Sequence, residues 1–486
     1  MRQFFVKNII FLILVNLIVK PVWIFGIDRN VQNVLGHEVY GQYAALLNFS
    51  IIFQILLDFG FQSYNSTAIA QTPKRIKSLF PNIIFAKGIL SIIYLLVIFG
   101  IGLLLGYRGH ALFLLFLLSF VQITSSYLLF LRSNISGMHH FKLDSLLSVS
   151  DRLIMILVCG ALLIYPAWRA QFQIEWFIYA QIVSYVLTGS IAFMICRKFA
   201  SLNLSQFNFK KAFIICKKSL PYATLIFLMA IYIRSDALLI ERLLPNGEKE
   251  AGVYVAAYRL LDVANNVSGF LFASILLPLF GRMLIKKESV LSIVEVSINL
   301  LLPVAFTAVT VTYFFGSELM LLLYTHAQPN DGHLLFLLML AFPGFCIGYV
   351  YSTLLTANGS LRALNILSLG MVVFSLGLNF VLIPRYGAWG AAITAAATQM
   401  ILAFVLIKLC QRILNLPFHS LWLFKHLLFI ISIFAVSYLF QHYLSLSLFV
   451  QIFGIGFISV LFMLLLGFLP FHKIKAILMN KINNGQ

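Results

Sequence analysis

Long apolar runs fill almost the whole of this sequence and leave no polar stretch long enough to fold as a separate domain. A helix needs about 20 apolar residues to cross the ~30 Å hydrocarbon core of a bilayer, and runs of that length recur fourteen times between Phe4 and Leu469. Only 10% of the 486 residues are charged, whereas soluble domains carry about 25%. We therefore predict an all-α polytopic membrane protein with about 14 transmembrane helices.

The basic residues are unevenly shared between the two predicted sides of the membrane. Connectors after even-numbered helices, together with both termini, collect most of the Lys and Arg, and the richest connector contains Arg197, Lys198, Lys210 and Lys211. Because cytoplasmic connectors are enriched in Lys and Arg, we expect both termini in the cytoplasm and the protein in the cell (inner) membrane. This topology explains the formal net charge of +19 without a nucleic acid partner.

A weak internal repeat divides the predicted helices into two sets. Gly41-Gln42-Tyr43-Ala44-Ala45 opens the second predicted helix, and Gly252-Val253-Tyr254-Val255-Ala256 opens the eighth, 211 residues later. We predict an N-terminal six-helix lobe (1–198), a basic cytoplasmic linker (199–213), a second six-helix lobe (214–412), and an extra helix pair with a cytoplasmic tail (413–486). Since each lobe has an even number of helices, we expect parallel repeats related by an axis along the membrane normal.

Patterns that support catalysis are missing from the sequence. It contains no GxxxxGK[ST] phosphate-binding loop, no HExxH zinc motif and no GxSxG nucleophile elbow. The five cysteines lack paired spacing, and His139 and His140 are adjacent, so their side chains point apart on a helix. We expect neither an enzyme nor a bound metal or other cofactor.

Ionisable residues within the predicted spans bear most directly on function, since each costs about 2.5 to 3.5 kcal/mol at the centre of a helix. Three are basic, Lys20, Arg234 and Arg259, and two are acidic, Asp236 and Asp262. In a wet cavity the basic residues would bind an anionic headgroup, and either aspartate could couple transport to protons or sodium. The alternative is that these charges neutralise one another as structural ion pairs, across helices for Arg234 and Asp236.

Two further charged residues have a simpler interpretation. Asp58 in the second predicted helix, Val39–Phe61, and Lys87 in the third lie near the predicted cytoplasmic ends. We expect their side chains to reach the interface at little cost.

One segment resembles a family signature. Asn379-Phe-Val-Leu-Ile-Pro384-Arg-Tyr-Gly387-Ala-Trp-Gly390-Ala391-Ala392 is similar to the N-x4-P-x2-G-x2-G-A-A pattern of lipid-linked oligosaccharide (O-antigen type) flippases. These form the polysaccharide-transport branch of the multidrug/oligosaccharidyl-lipid/polysaccharide exporter superfamily. Further parts of this chain also resemble the family, namely Tyr40–Tyr43, Leu57–Gly60, Asp236 with Glu241, and Ala251–Leu260.

The resemblance implies two six-helix lobes in a V that work by alternating access. Such a protein would carry a polyprenyl-pyrophosphate-linked oligosaccharide from the cytoplasmic to the outer leaflet for surface polysaccharide biosynthesis. The implied partners are that glycan lipid, membrane lipids and the glycan polymerase machinery. The two extra helices match in number those of the lipid II flippases of the superfamily.

We therefore expect a flippase whose cavity binds pyrophosphate through Lys20, Arg234 and Arg259. A drug or small-cation exporter of the same superfamily is the first alternative, although its cavity should be more acidic. A polytopic glycan polymerase or glycosyltransferase is the second, although it should have a long outer loop or a pair of carboxylates in a loop.

Overall fold

The computed structural model describes residue 19 and residues 21–200, 209–417, 420–444 and 446–468. Within these residues the regular structure is helical, with no strand, and 12 stretches are long and apolar enough to cross a membrane. The first stretch, Val22–Leu57, is two helices joined at Gly36, whose φ of 78° and ψ of 172° interrupt the helix. The 39-residue helix Gly247–Ile285 adds another long helix. The predicted all-α polytopic membrane protein is confirmed.

We number the long helices of the described chain in order. They are α1 (22–35), α2 (37–71), α3 (Ile76–Leu104), α4 (His110–Gly137), α5 (Phe141–Ile164), α6 (Ile174–Arg197), α7 (Phe209–Leu243), α8 (Gly247–Ile285), α9 (Leu291–Leu323), α10 (331–357), α11 (Leu361–Tyr386), α12 (Ala388–Leu414), α13 (Ser420–Tyr443) and α14 (Leu448–Leu465). The predicted first helix, Phe4–Ile27, lies mostly outside the described residues. The second ends at Gln71 rather than Phe61, because the chain resumes a helix after a break at residues 53–60.

The first compact unit contains the described residues up to Ala256 together with Ser368–Ala388. It holds α1 to α7, the first turns of α8 and α11 from Ser368 to its end. One core cluster joins α2, α3, α4 and α6 through buried apolar side chains, and within it the rings of Phe80 and Phe130 stack at 6.1 Å. On the outward faces of α3 and α4, exposed side chains such as Ile92, Leu96 and Phe116 are apolar, which suits a lipid environment.

The second compact unit contains Ala257–Leu367 and the described residues from Trp389 onward. Here α13 and α14 pack on α9 through an apolar cluster that includes Phe315, Ile433 and Ile455. Polar contacts support the same packing: the hydroxyls of Thr307 and Ser459 are 2.7 Å apart. The extra helix pair is therefore anchored on α9. The boundaries of the two six-helix lobes stay a prediction, since compactness groups α7 with the helices before it.

Candidate functional site

The ionisable residues singled out from the sequence fall into both units. Lys20 lies outside the described residues. Arg234 and Asp236 lie on α7 in the first unit, whereas Arg259 and Asp262 lie on α8 in the second. The two arginines are half-buried and the two aspartates are buried.

Asp236 is held by two neutral donors. The Tyr254 hydroxyl donates to its Oδ2 at 2.7 Å, and the Asn379 amide donates to its Oδ1 at 2.8 Å. Asp236 is only 3% exposed. Neutral hydrogen bonds from α8 and α11, rather than the cross-helix ion pair considered above, therefore hold the Asp236 carboxylate.

Asn379, the first residue of the family-like motif, binds the Asp236 carboxylate. Its side chain is fully buried, and one side of its amide is committed to Asp236. Its amide oxygen has no hydrogen-bond partner among the described residues, and neither has the buried hydroxyl of Ser235 next to Asp236. The amide that binds the Asp236 carboxylate thus also carries a buried, unsatisfied oxygen, which a donor or a small cation would satisfy.

The end of the motif forms the turn between α11 and α12. Gly387 has a φ of 59°, a left-handed conformation that glycine adopts without strain. The Ala388 N–H, at the start of α12, points to the Glu250 carboxylate at 3.4 Å, and an acidic group is favourable at a helix N-terminus. Pro384 is exposed in the last turn of α11, and Gly390 is buried in the first turn of α12.

The starts of α2 and α8 cross in backbone contact inside the first unit. A Cβ atom added at Gly41 would lie 2.6 Å from the nitrogen of Gly252 and still closer to the carbonyl oxygen of Glu248. A Cβ atom added at Gly252 would lie 2.8 Å from the Cα of His37. We call the set His37, Gly41, Glu248 and Gly252 the α2–α8 crossing.

The contacts at the α2–α8 crossing are reciprocal. Gly41 packs on Glu248 and Gly252 packs on His37, and both pairings exchange under the 211-residue shift that relates the two repeats. A two-fold relation produces such an exchange, in which residue i contacts j and the counterpart of i contacts the counterpart of j. The short sequence repeat therefore coincides with a physical contact between its two copies.

Polar side chains reinforce this end of the first unit. Gln32 donates to the Gly252 carbonyl at 2.9 Å. In the connector between α3 and α4, the Tyr107 hydroxyl donates to Glu241 at 2.9 Å, and the Arg242 guanidinium lies 3.5 Å from the centre of the Tyr107 ring. Burial, followed by the charge of Glu241, raises the pKa of the Tyr107 phenol, which keeps it a donor.

The expectation that Lys87 reaches the interface is wrong. Its side chain is 1% exposed, and its ammonium bonds to the Leu57 carbonyl at 2.6 Å and to the Ser126 hydroxyl at 2.7 Å. The physical reason is the break in α2, which offers an acceptor inside the first unit. Gly60 directly after Asp58 and Phe59 was the sequence signal for that break.

Comparisons with known proteins agree with this fold. A family model described as polysaccharide biosynthesis protein matches residues 5–284. Lipid II flippase MurJ in an inward closed conformation is 14% identical with a TM-score of 0.70, covering 93% of this chain and 97% of that one. An inward-facing multidrug resistance MATE family transporter of the MOP superfamily is 16% identical with a TM-score of 0.61, covering 80% of this chain and 93% of that one.

A third structure, a MOP superfamily transporter from Pyrococcus furiosus, is 18% identical with a TM-score of 0.55 and covers 84% of this chain and 95% of that one. No curated protein matches the sequence. At these identities the structures establish the fold, whereas the family match covers more than half of the chain. By their descriptions the three structures are a lipid II flippase and two transporters, and what this chain shares with them is the fold. The chain belongs to the polysaccharide biosynthesis protein family.

Proposed function

We propose that this protein is a flippase that moves a polyprenyl-pyrophosphate-linked oligosaccharide from the cytoplasmic to the outer leaflet of the cell (inner) membrane, with both termini cytoplasmic. The observation that carries the proposal is the match of residues 5–284 to the polysaccharide biosynthesis family. The similarity to a lipid II flippase over 93% of this chain supports it. The glycan would serve surface polysaccharide biosynthesis, with the glycan polymerase machinery as a partner.

The pyrophosphate group would bind to Lys20, Arg234 and Arg259. A diphosphate presents several oxygens, and guanidinium groups bind such oxygens in pairs with charge-assisted hydrogen bonds. Arg234 and Arg259 are half-buried, which limits the water that competes for the phosphate. The polyprenyl tail would remain in the surrounding lipid.

Asp236 is the stronger of the two candidates for ion coupling, with Asp262 as the other. Its two hydrogen bonds come from neutral groups on two other helices, so a bound proton or sodium ion would neutralise it. The unpartnered oxygen of Asn379 beside it offers a further ligand. Occupation of Asp236 would therefore alter the contacts that tie α7 to α8 and α11.

The α2–α8 crossing would act as a gate in alternating access. It lies at the ends of α2 and α8 that the charge distribution assigns to the outer side. Backbone contact at two glycines closes this end of the first unit tightly. Release of a glycan outward would require the two helices to separate here.

Deletion of the gene tests the function directly. We expect lipid-linked oligosaccharide to accumulate on the cytoplasmic leaflet and the surface glycan to disappear, with both restored by the wild-type gene. Normal surface display in the deletion strain would refute the flippase. The alternative, a drug or small-cation exporter, is favoured by the similarity to a multidrug transporter, and it predicts increased drug susceptibility with normal glycan display.

A further inference from the structure

The break in α2 exposes a backbone carbonyl inside the first unit. Phe53–Leu57 forms a 3-10 turn, and Phe59 and Gly60 are left-handed with φ values of 43° and 80°. In a continuous helix the Phe61 N–H would donate to the Leu57 carbonyl, but here it donates to the Asp58 carbonyl at 2.8 Å. The Leu57 oxygen therefore needs a donor from outside its own helix.

The Lys87 ammonium is the nearer of two such donors, the other being the Ser126 hydroxyl at 3.2 Å. It lies 2.6 Å from the Leu57 carbonyl, 2.7 Å from the Ser126 hydroxyl and 3.4 Å from Asp58 Oδ1. An ammonium has three N–H groups, and these three oxygens match that number. The Lys87 side chain is only 1% exposed, so the ammonium is enclosed by protein.

The three oxygens have the chemistry of a cation site. They comprise a carbonyl freed by an unwound helix, a hydroxyl and a carboxylate, and unwound carbonyls of broken helices coordinate sodium in membrane transporters. The oxygens come from α2 and α4, whereas the cation belongs to α3. The Asp58 carboxylate, whose side chain is 27% exposed, also balances the charge of the ammonium, which lowers the cost of burying Lys87.

We propose that Leu57, Asp58 and Ser126 form a monovalent-cation site that Lys87 fills with its own tethered ammonium. A cation that cannot dissociate thereby stabilises the break in α2. The conformation of the break therefore does not depend on sodium or potassium in solution. Lys87 is a positioning residue: it sets the direction of α2 below the α2–α8 crossing. Truncating its side chain opens the site to soluble cations.

The test uses purified full-length Lys87→Ala protein in detergent. Its unfolding midpoint is measured in sodium, potassium, methylammonium or choline chloride at equal ionic strength. In choline chloride we expect K87A to have an unfolding midpoint below that of the wild type. With at least one of the small cations, the K87A midpoint should rise and saturate with concentration. Wild type, D58N/K87A and the exposed-lysine control Lys286→Ala should show no such rise.

A K87A midpoint that is the same in all four salts would overturn the proposal, as would a rise of equal size in D58N/K87A. If K87A does not fold, the unfolding midpoints of Lys87→Met and Lys87→Arg are compared instead, to test whether this position requires a positive charge. A K87M midpoint equal to that of the wild type overturns the proposal, and one below that of K87R supports it. These measurements do not involve the glycan, so they stand apart from the proposed flippase activity.

Discussion

Substituting Gly41 by alanine tests the proposed gate at the α2–α8 crossing. The new methyl group would lie 2.6 Å from the Gly252 nitrogen, whereas ordinary contacts of carbon begin at about 3.5 Å. The Glu248 carbonyl oxygen would lie closer still, so the helices would have to separate by more than about 1 Å, because the opposing atoms are backbone and cannot rotate away. Overpacking of this kind costs about 1 to 3 kcal/mol.

That penalty applies only to the state in which the crossing is closed. A shift of about 1 to 3 kcal/mol changes the ratio of two conformations by roughly 5- to 150-fold, so the closed state should lose population while the protein stays folded. We expect Gly41→Ala and Gly252→Ala to be present in the membrane at wild-type levels and to reduce glycan export by about fivefold or more.

The assay combines surface glycan measurement with cysteine labelling. Gln42, which bonds to Glu248 at 2.5 Å, is replaced by Cys and treated with a membrane-impermeant maleimide. Labelling should rise when Gly41→Ala is added. Gly189→Ala is the matched control, because nothing lies within 4 Å of a Cβ atom at that position. Wild-type export by Gly41→Ala with unchanged labelling would refute the reasoning.

Three further predictions concern the motif and its contacts. Asn379→Ala removes a hydrogen bond to the buried Asp236, so it should lower the free energy of unfolding by about 1.5 to 3 kcal/mol; an unchanged unfolding midpoint would contradict this role. Asp236→Asn should abolish any dependence of export on sodium or pH, as measured by export across a series of buffers, and retained dependence would point to Asp262. Gly387→Ala forces a side chain into a left-handed turn with φ of 59°, so it should cost about 1 to 2 kcal/mol in thermal unfolding, whereas Gly377→Ala, with open space around it, should not.

The helices could be predicted from the sequence because hydrocarbon thickness fixes the length of each apolar run. The interruption of α2 was marked in the sequence only by Gly60, and the left-handed conformation of Phe59, with a φ of 43°, had no sequence signal. Lys87 shows the same limit. In an isolated helix, a lysine side chain avoids burial at the least cost by extending to the interface. The oxygen partners that α2 and α4 offer to Lys87 on α3 become visible only in the folded structure.

The candidate site was predictable in its residues but not in its partners. A single sequence marks Asp236 as a buried charge and Asn379 as part of a motif, yet 143 positions separate them. Pairing over such a distance is a property of the fold and not of local pattern. The repeat at Gly41 and Gly252 was visible as a short similarity, whereas their contact required the structure.

The central claim is tested most directly by reconstituting the purified protein in liposomes that carry a polyprenyl-pyrophosphate-linked oligosaccharide in one leaflet. Transfer is measured as the share of glycan that a membrane-impermeant glycosidase can reach over time. We predict rapid transfer with the wild type and a loss with the triple variant Lys20→Gln, Arg234→Gln, Arg259→Gln. Transfer by the wild type no faster than in protein-free liposomes, or undiminished transfer by the triple variant, would contradict a flippase with a cationic binding cavity.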